Sequence, residues 1–225
     1  MMNNRHYSNY CVIFDMDGVL ADTGPIHFES WVKLGRKLGV EFTQAFFEQT
    51  FGQQSPTITR KFVGPEADEV DIERWASFKE KSYREIVKDK LKPLPGVIKL
   101  MTALKLKRFK LAVGSSGPSE NVDLLLNSLK IRDFFDVIIT AAEVKKGKPE
   151  PDVFLLVADT LNINPENCIV IEDAPVGIEA AKRAGMKSIA LTTTHVKDEL
   201  SGAQLIIKNL SEITIDDIIR LFHLK

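Results

Sequence analysis

Cysteine is scarce in this chain: only Cys11 and Cys168 occur in 225 residues, each inside an apolar run. That argues against a disulfide framework or a thiolate metal site and reads as two buried free thiols in a reducing compartment. No run of about 18 apolar residues exists, so no segment is predicted to span a membrane. An excess of charge of one sign is missing as well. With 30 basic and 31 acidic residues the formal net charge is −1, which leaves no basic field to hold nucleic acid or an anionic membrane. Met1 to Tyr10 is polar with no apolar stretch ahead of the first strand, so no secretory signal is expected and the chain reads as cytoplasmic. Internal repeats and low-complexity tracts are absent too. These absences leave small molecules as the expected partners, with the chain acting as a monomer or weak homodimer.

What is present is globular composition, 44% hydrophobic and 27% charged, at a length that suits one domain plus an insertion or two small domains. The informative stretch is Cys11-Val12-Ile13-Phe14 followed by Asp15-Met16-Asp17-Gly18. Four consecutive apolar residues predict a parallel strand buried on both faces, ending in two carboxylates and a turn. Side chains two apart on an extended chain share a face, so Asp15 and Asp17 can converge on one point. Two like charges held that close call for a cation, a shared proton, or both, and Mg²⁺ with its oxygen ligands suits the pair. A strand followed by an ordinary acidic turn is the competing reading.

Gly24-Pro25 reads as a break after this unit, and Lys92-Pro93-Leu94-Pro95-Gly96 as a second one. Between them strand character disappears; the segment His27–Leu38 is helical in pattern, and 25–92 is expected to form a separate helical layer. Beyond it, strand and helix alternate. Val97, Leu100, Met101 and Leu104 mark a helix face; Leu111–Val113 a strand; Val122, Leu125, Leu126 and Leu129 a helix; Val137–Ile139 a strand; Phe154, Val157, Ala158 and Leu161 a helix. Cys168–Ile171 is the next strand, Ile178–Gly185 a helix with a glycine stop, Ser188–Leu191 and Leu205–Ile207 strands, and Ile215, Ile218, Ile219 and Phe222 a last helix. Such alternation specifies right-handed crossovers and an α/β parallel sheet covered on both faces.

Ligands of open parallel sheets sit beyond the carboxyl ends of the strands. There this chain carries Asp15 and Asp17, Ser115 and Ser116, Lys148, and Glu172 with Asp173. Singly, each has another reading: Ser115 and Ser116 as a helix cap before Pro118, Lys148 as part of a solvated basic loop, Glu172-Asp173 as a helix start. Together at one sheet edge they suit a phosphate and a metal.

Four segments carry a resemblance. Asp15-Met16-Asp17-Gly18-Val19-Leu20-Ala21-Asp22-Thr23, Ser115 after its strand, Gly147-Lys148-Pro149-Glu150-Pro151-Asp152, and Ile171-Glu172-Asp173-Ala174-Pro175-Val176-Gly177 resemble, in order, the motifs of the haloacid dehalogenase superfamily. The branch it resembles most has a helical cap inserted after the first motif and holds small-molecule phosphatases and beta-phosphoglucomutases. The resemblance implies a Rossmann-like three-layer core of residues 1–24 and 93–225 with a cap of 25–92. It implies Asp15 as nucleophile and Asp17 as acid and base, its pKa raised by adjacent negative groups. Mg²⁺ would lie on Asp15, the Asp17 carbonyl and Asp173, with Glu172 as a further or outer ligand. Lys148, Ser115 and backbone N–H groups near Met16 and Ser116 would hold the phosphate, while Asp22 and Thr23 orient the Asp17 loop. Dehalogenases of the superfamily generally lack the second aspartate, so Asp17 favours phosphoryl transfer.

Within the cap range, His27 and Trp31 lie four apart on one helix face and match mutase residues that face the site; packing alone is their other reading. The loop Phe51-Gly52-Gln53-Gln54-Ser55 corresponds to one that carries an arginine for a distal phosphate in the mutases, and Ser55 stands at that place, with Arg60 a turn beyond. The expectation is therefore a Mg²⁺-dependent phosphatase of a sugar phosphate or phosphoglycolate, with a hexose-phosphate mutase as the alternative. A receiver-like signalling domain is disfavoured, because its acidic pair precedes the phosphorylated aspartate.

Overall fold

The computed structural model describes residues 6–87 and 90–223. Met1–Arg5, the start of the polar N-terminal stretch, Lys88 and Asp89, within the expected 25–92 layer, and the terminal Leu224 and Lys225 lie outside the described residues.

Strand β1 (Cys11–Phe14) is followed by four helices, α1 (Gly24–Leu38), α2 (Gln44–Thr50), α3 (Ser55–Val63) and α4 (Glu69–Val87). Then come α5 (Val97–Leu106), β2 (Lys110–Gly114), α6 (Ser119–Ser128), β3 (Val137–Ile139), α7 (Asp152–Leu161), β4 (Cys168–Glu172), α8 (Pro175–Arg183), β5 (Lys187–Leu191), β6 (Leu205–Ile207) and α9 (Ile215–His223). The six strands form one parallel sheet in the order β3-β2-β1-β4-β5-β6. β1 is central, and the chain order reverses beside it, which opens a crevice at its carboxyl end.

The unbroken apolar run of β1 is explained by what covers it. Val12 and Phe14 pack under α5, α6 and α9 with Leu111, Val113, Ile169 and Ile171, whereas Cys11 and Ile13 pack under α7 and α8 with Ala112, Phe154, Cys168 and Val170. Each strand thus buries alternate residues in two different cores. Cys11 and Cys168 are register partners on neighbouring strands, both buried and both free. Their mutual hydrogen bond, followed by burial, pushes the Cys11 thiol well above its ordinary range.

The helices α1–α4 gather around Trp31, Leu34, Phe42, Phe47, Phe51 and Ile58, with Trp31 and Phe42 stacked at 5.2 Å. The two chain passages joining these helices to the sheet run side by side: Leu94 donates its N–H to Leu20 at 3.0 Å, and Ala21 bridges Pro93. Entry and exit are therefore tied at one point, directly beyond the Asp15–Asp17 turn.

Two local expectations are corrected. Gly24-Pro25 does not break the chain ahead of a helix at His27; both residues form the first turn of α1, and Ile26 and His27 donate to the Thr23 carbonyl at 3.0 and 2.9 Å. Proline costs nothing there because a first-turn N–H has no intrahelical acceptor. Ser115 and Ser116 do not cap α6, which starts at Ser119 after Pro118; the Ser115 hydroxyl instead accepts the Gly117 N–H at 3.0 Å.

Phe154, on α7 and fully buried against the sheet, sets the scale of the core. Phe154→Ala is expected to lower the unfolding free energy by about 3–5 kcal/mol. Val196→Ala, at a site 65% exposed, is expected to change it by less than about 0.5 kcal/mol. Urea denaturation of the two variants beside the parent checks both.

Candidate active site

β1 hands its polarity to the crevice over two residues. Asp15 still donates its N–H to Ile171 of β4 at 2.9 Å, so its side chain is fixed at the sheet edge. The chain then turns at Gly18, whose φ of +73° suits glycine and where a Cβ would lie 1.9 Å from the Asp173 carboxylate. This close approach brings the turn after β1 against the turn after β4.

Lys148, buried in spite of its three neighbouring lysine and glycine residues, sends its ammonium to Asp15 Oδ1 at 2.5 Å and Glu172 Oε1 at 2.8 Å. The other Glu172 oxygen accepts the N–H groups of Asp173 and Ala174, both at 2.8 Å. Glu172 fits only because residue 177 is glycine: a Cβ there would meet Glu172 Oε1 at 1.7 Å. Asp173 accepts the Thr194 hydroxyl at 2.5 Å. Asp15, Glu172 and Asp173 each place a carboxylate oxygen within 4.8 Å of the others.

The electrostatics follow from this crowding. Burial, then the charges of Glu172 and Asp17, push Asp15 up to about 7 in spite of Lys148. Burial and the neighbouring Glu172 and Asp15 push Asp173 well above the usual carboxylate range. Burial disfavours the Lys148 ammonium, but Asp15 and Glu172 outweigh it and hold the lysine charged. Asp17 behaves oppositely to the sequence expectation of a raised pKa. Burial pushes it up, yet the nearby His27, the Thr23 hydroxyl at 2.5 Å and Lys79 outweigh burial and leave it below its ordinary range. Buried carboxylates with raised pKa values, converging through oxygen donors, fit a hard divalent cation, which removes the repulsion that raised them.

His27 donates from Nε2 to Asp17 Oδ1 at 3.1 Å, with its Nδ1 facing the Lys79 ammonium at 2.7 Å and its ring stacked on Tyr83 at 4.0 Å. An ammonium has only donors, so Nδ1 must accept and the proton sits on Nε2. Lys79 also donates to Glu80 Oε1 at 3.0 Å; Glu80 is bonded by Ser55, and its Oε2 accepts the Asn121 amide of α6 at 2.5 Å. One polar chain thus runs from Asp17 through His27, Lys79 and Glu80 to Asn121.

The structure gathers Asp15, Asp17, His27, Trp31, Gly52, Ser55, Ser116 and Asp173 around one small, partly open cavity of about 40 Å³, room for roughly three waters. Ser115 and Lys148 are buried beside it, and the Ser116 hydroxyl is buried with no partner among the described residues. Two residues stand elsewhere. Asp22 is exposed and makes no side-chain hydrogen bond among the described residues, so of the pair Asp22 and Thr23 it is Thr23 that reaches Asp17. Arg60 pairs with Glu69 on the exposed side of α3 and does not reach the cavity. Sequence reading missed Lys79, Glu80 and Asn121. A signal existed for the first two: Ile72, Ala76, Lys79, Glu80, Tyr83 and Val87 are buried at helical spacing, so two charges lie on the inner stripe of α4.

A parallel sheet reversed beside β1, with an aspartate pair, a lysine and a second acidic pair at its carboxyl edge, defines a class of enzymes that work on phosphorylated or halogenated carbon compounds. The chain belongs to the haloacid dehalogenase-like hydrolase family, whose sequence profile matches residues 12–191. It is 34% identical over 212 residues to validoxylamine A 7'-phosphate phosphatase of Streptomyces hygroscopicus subsp. limoneus, covering 89% of this chain and 94% of that one. It is 36% identical over 181 residues to phosphorylated carbohydrates phosphatase of Thermotoga maritima, covering 79% and 82%. The solved beta-phosphoglucomutase of Clostridium difficile superposes with a TM-score of 0.87 at 31% identity, covering 95% of this chain and 97% of that one.

Asp15, at about 7, binds a proton more tightly in the fold than in the unfolded chain. Its contribution to stability is therefore complete below about pH 4 and is lost as pH rises through about 7. A divalent cation favours the ionised form, so Mg²⁺ uptake near neutral pH is expected to release protons. Calorimetry in buffers of different ionisation enthalpy reads this directly, and the thermal shift caused by Mg²⁺ should grow from about pH 6 to about pH 8.

Proposed function

We propose that the protein is a Mg²⁺-dependent phosphatase that hydrolyses a small phosphorylated metabolite of the sugar-phosphate type through an aspartyl-phosphate on Asp15. The observation that carries this reading is the buried Asp15 carboxylate held by Lys148 and flanked by Glu172 and Asp173, with the His27-bound Asp17 two residues on. Asp15, Asp173 and the Asp17 carbonyl, with Glu172 beside them, would hold the cation; when bound, it supplies positive charge that lowers the repulsion between the phosphate dianion and an attacking carboxylate.

Asp15 attacks phosphorus while Lys148 neutralises charge on the nucleophile and on the transferring group. The Ser115 hydroxyl accepts from Gly117, which leaves its own proton free for a phosphate oxygen. The leaving alkoxide takes a proton from Asp17, and Asp17 then withdraws one from the water that cleaves the acyl phosphate. The ionised state favoured by His27 and Thr23 suits the second step. A phosphate dianion arriving beside Asp17 adds negative charge and moves it toward the protonated form that the first step needs. The helical segment 25–92 serves as a cap: a chamber of about 40 Å³ is far below the several hundred Å³ of a small-ligand site, so substrate enters when α1–α4 swing away on the paired Leu20–Leu94 passages. Bound closure then excludes bulk water.

A hexose-phosphate mutase is the second reading, favoured by the superposition on beta-phosphoglucomutase. Ser55 bonded to Glu80, and Arg60 turned to Glu69, weigh against it because the loop itself supplies no guanidinium for a distal phosphate, and Arg84 across the cleft is bonded to Asn121.

Phosphate release from a panel of sugar phosphates, phosphoglycolate and polyol phosphates tests the reading. Hydrolysis is expected to require Mg²⁺, to vanish on adding EDTA or in Asp15→Asn, and to fall by about 10²–10⁴ in kcat in Asp17→Asn. Isomerised sugar phosphate with no phosphate released would replace the hydrolase by the mutase.

A further inference from the structure

Glu80 stands where two cavities meet. It lines the inner chamber over Asp15 and Asp17, and it also lines an outer cleft of about 570 Å³ between α4 and the start of α6. Ser55 and Ser116 line both as well, so these three residues form the wall through which a substrate would extend from its phosphate to its leaving group.

The chemistry of that wall is selective. A carboxylate has about four lone-pair sites, and three donors, from Ser55, Lys79 and Asn121, already point at Glu80. One site is left for a hydroxyl of a ligand, and the unpartnered Ser116 hydroxyl opposite offers a second polar contact. Charge works in the same direction. Lys79 is turned inward to His27 and Glu80 and does not reach the outer cleft. There Glu73, Glu80 and Glu120 face Arg84 alone, and Arg84 is itself bonded to Asn121 at 2.9 Å. A leaving group that carried an anion would meet three carboxylates and one guanidinium.

We propose that Glu80 is a specificity-determining residue that admits uncharged, hydroxyl-bearing leaving groups and rejects those carrying a second phosphate or a carboxylate. The proposal rests on the phosphatase reading of the inner chamber and narrows its substrates to monophosphate esters of neutral polyols and sugars. Phosphoglycolate and sugar bisphosphates fall outside.

Equilibrium binding to Asp15→Asn in the presence of Mg²⁺ separates the two claims, because it needs no turnover. The probes are a hexose 1-phosphate and the corresponding 1,6-bisphosphate. The monophosphate is expected to bind about 100-fold more tightly, and adding Glu80→Gln is expected to shrink that gap about tenfold. Equal binding of the two probes, or a gap that Glu80→Gln leaves unchanged, overturns the proposal. Should Glu80→Gln fail to fold, Glu80→Ala, which leaves room for water among the three donors, carries the same test: a gap smaller by about tenfold supports it and an unchanged gap overturns it. Failure of the phosphatase reading would show separately, as no phosphate released by the parent enzyme from any compound.

Discussion

Crowding of negative charge at the carboxyl ends of β1 and β4 is the constraint from which the rest of the site follows. Asp15, Asp17, Glu172 and Asp173 converge there because parallel strands in register end together, and the fold sets Lys148 against Asp15 and Glu172 and His27 against Asp17. Desolvation raises the cost of keeping those carboxylates ionised, and each one raises the cost for the next. The glycines at 18 and 177 let the two turns approach closely enough for the crowding to exist at all. On the proposed reading, such a site takes up a divalent cation and receives a phosphate together with it.

The helical insertion answers a different requirement. The sheet edge alone leaves the inner chamber open on one side, and the outer cleft is completed only where α3 and α4 face the start of α6. Placing His27 on α1 and Lys79 and Glu80 on α4 joins Asp17 to the walls of the outer cleft through one run of hydrogen bonds. If α1–α4 moved off the sheet as one layer, Lys79 would stay with His27, but His27 would leave Asp17 and Glu80 would leave Asn121, so the hold on Asp17 would weaken. The Glu80–Asn121–Arg84 contacts add a polar clasp from α4 to α6 that needs no ligand to form.

Residues with a reason to be visible in the chain were visible. Four apolar residues before Asp15 announced a strand buried on both faces, and the returns of helix and strand after Gly96 announced the order of the sheet elements. Lys148 was ambiguous, since Lys145-Lys146-Gly147-Lys148 has the composition of a solvated loop, and only its approach to Asp15 and Glu172 from a distant part of the chain distinguishes it. Asp17 was placed correctly but its electrostatics were not, because the groups that lower its pKa come from α1 and α4. Gly24-Pro25 carried a turn composition and turned out to open a helix, since both residues are also tolerated in a first turn.

Local periodicity and the spacing of acidic, hydroxyl and basic residues after each strand were enough, by themselves, to determine an α/β parallel sheet with a helical insertion and a phosphate-handling edge. These are properties of neighbours in the chain: which face a residue takes, and where a strand must end. Tertiary structure alone decided which charges face each other. Helical spacing puts Lys79 and Glu80 on the inner stripe of α4, but what they meet is decided only when α4 is laid over α1 and α6, because the sign and size of an electrostatic interaction depend on distance and burial between segments that sequence order does not bring together.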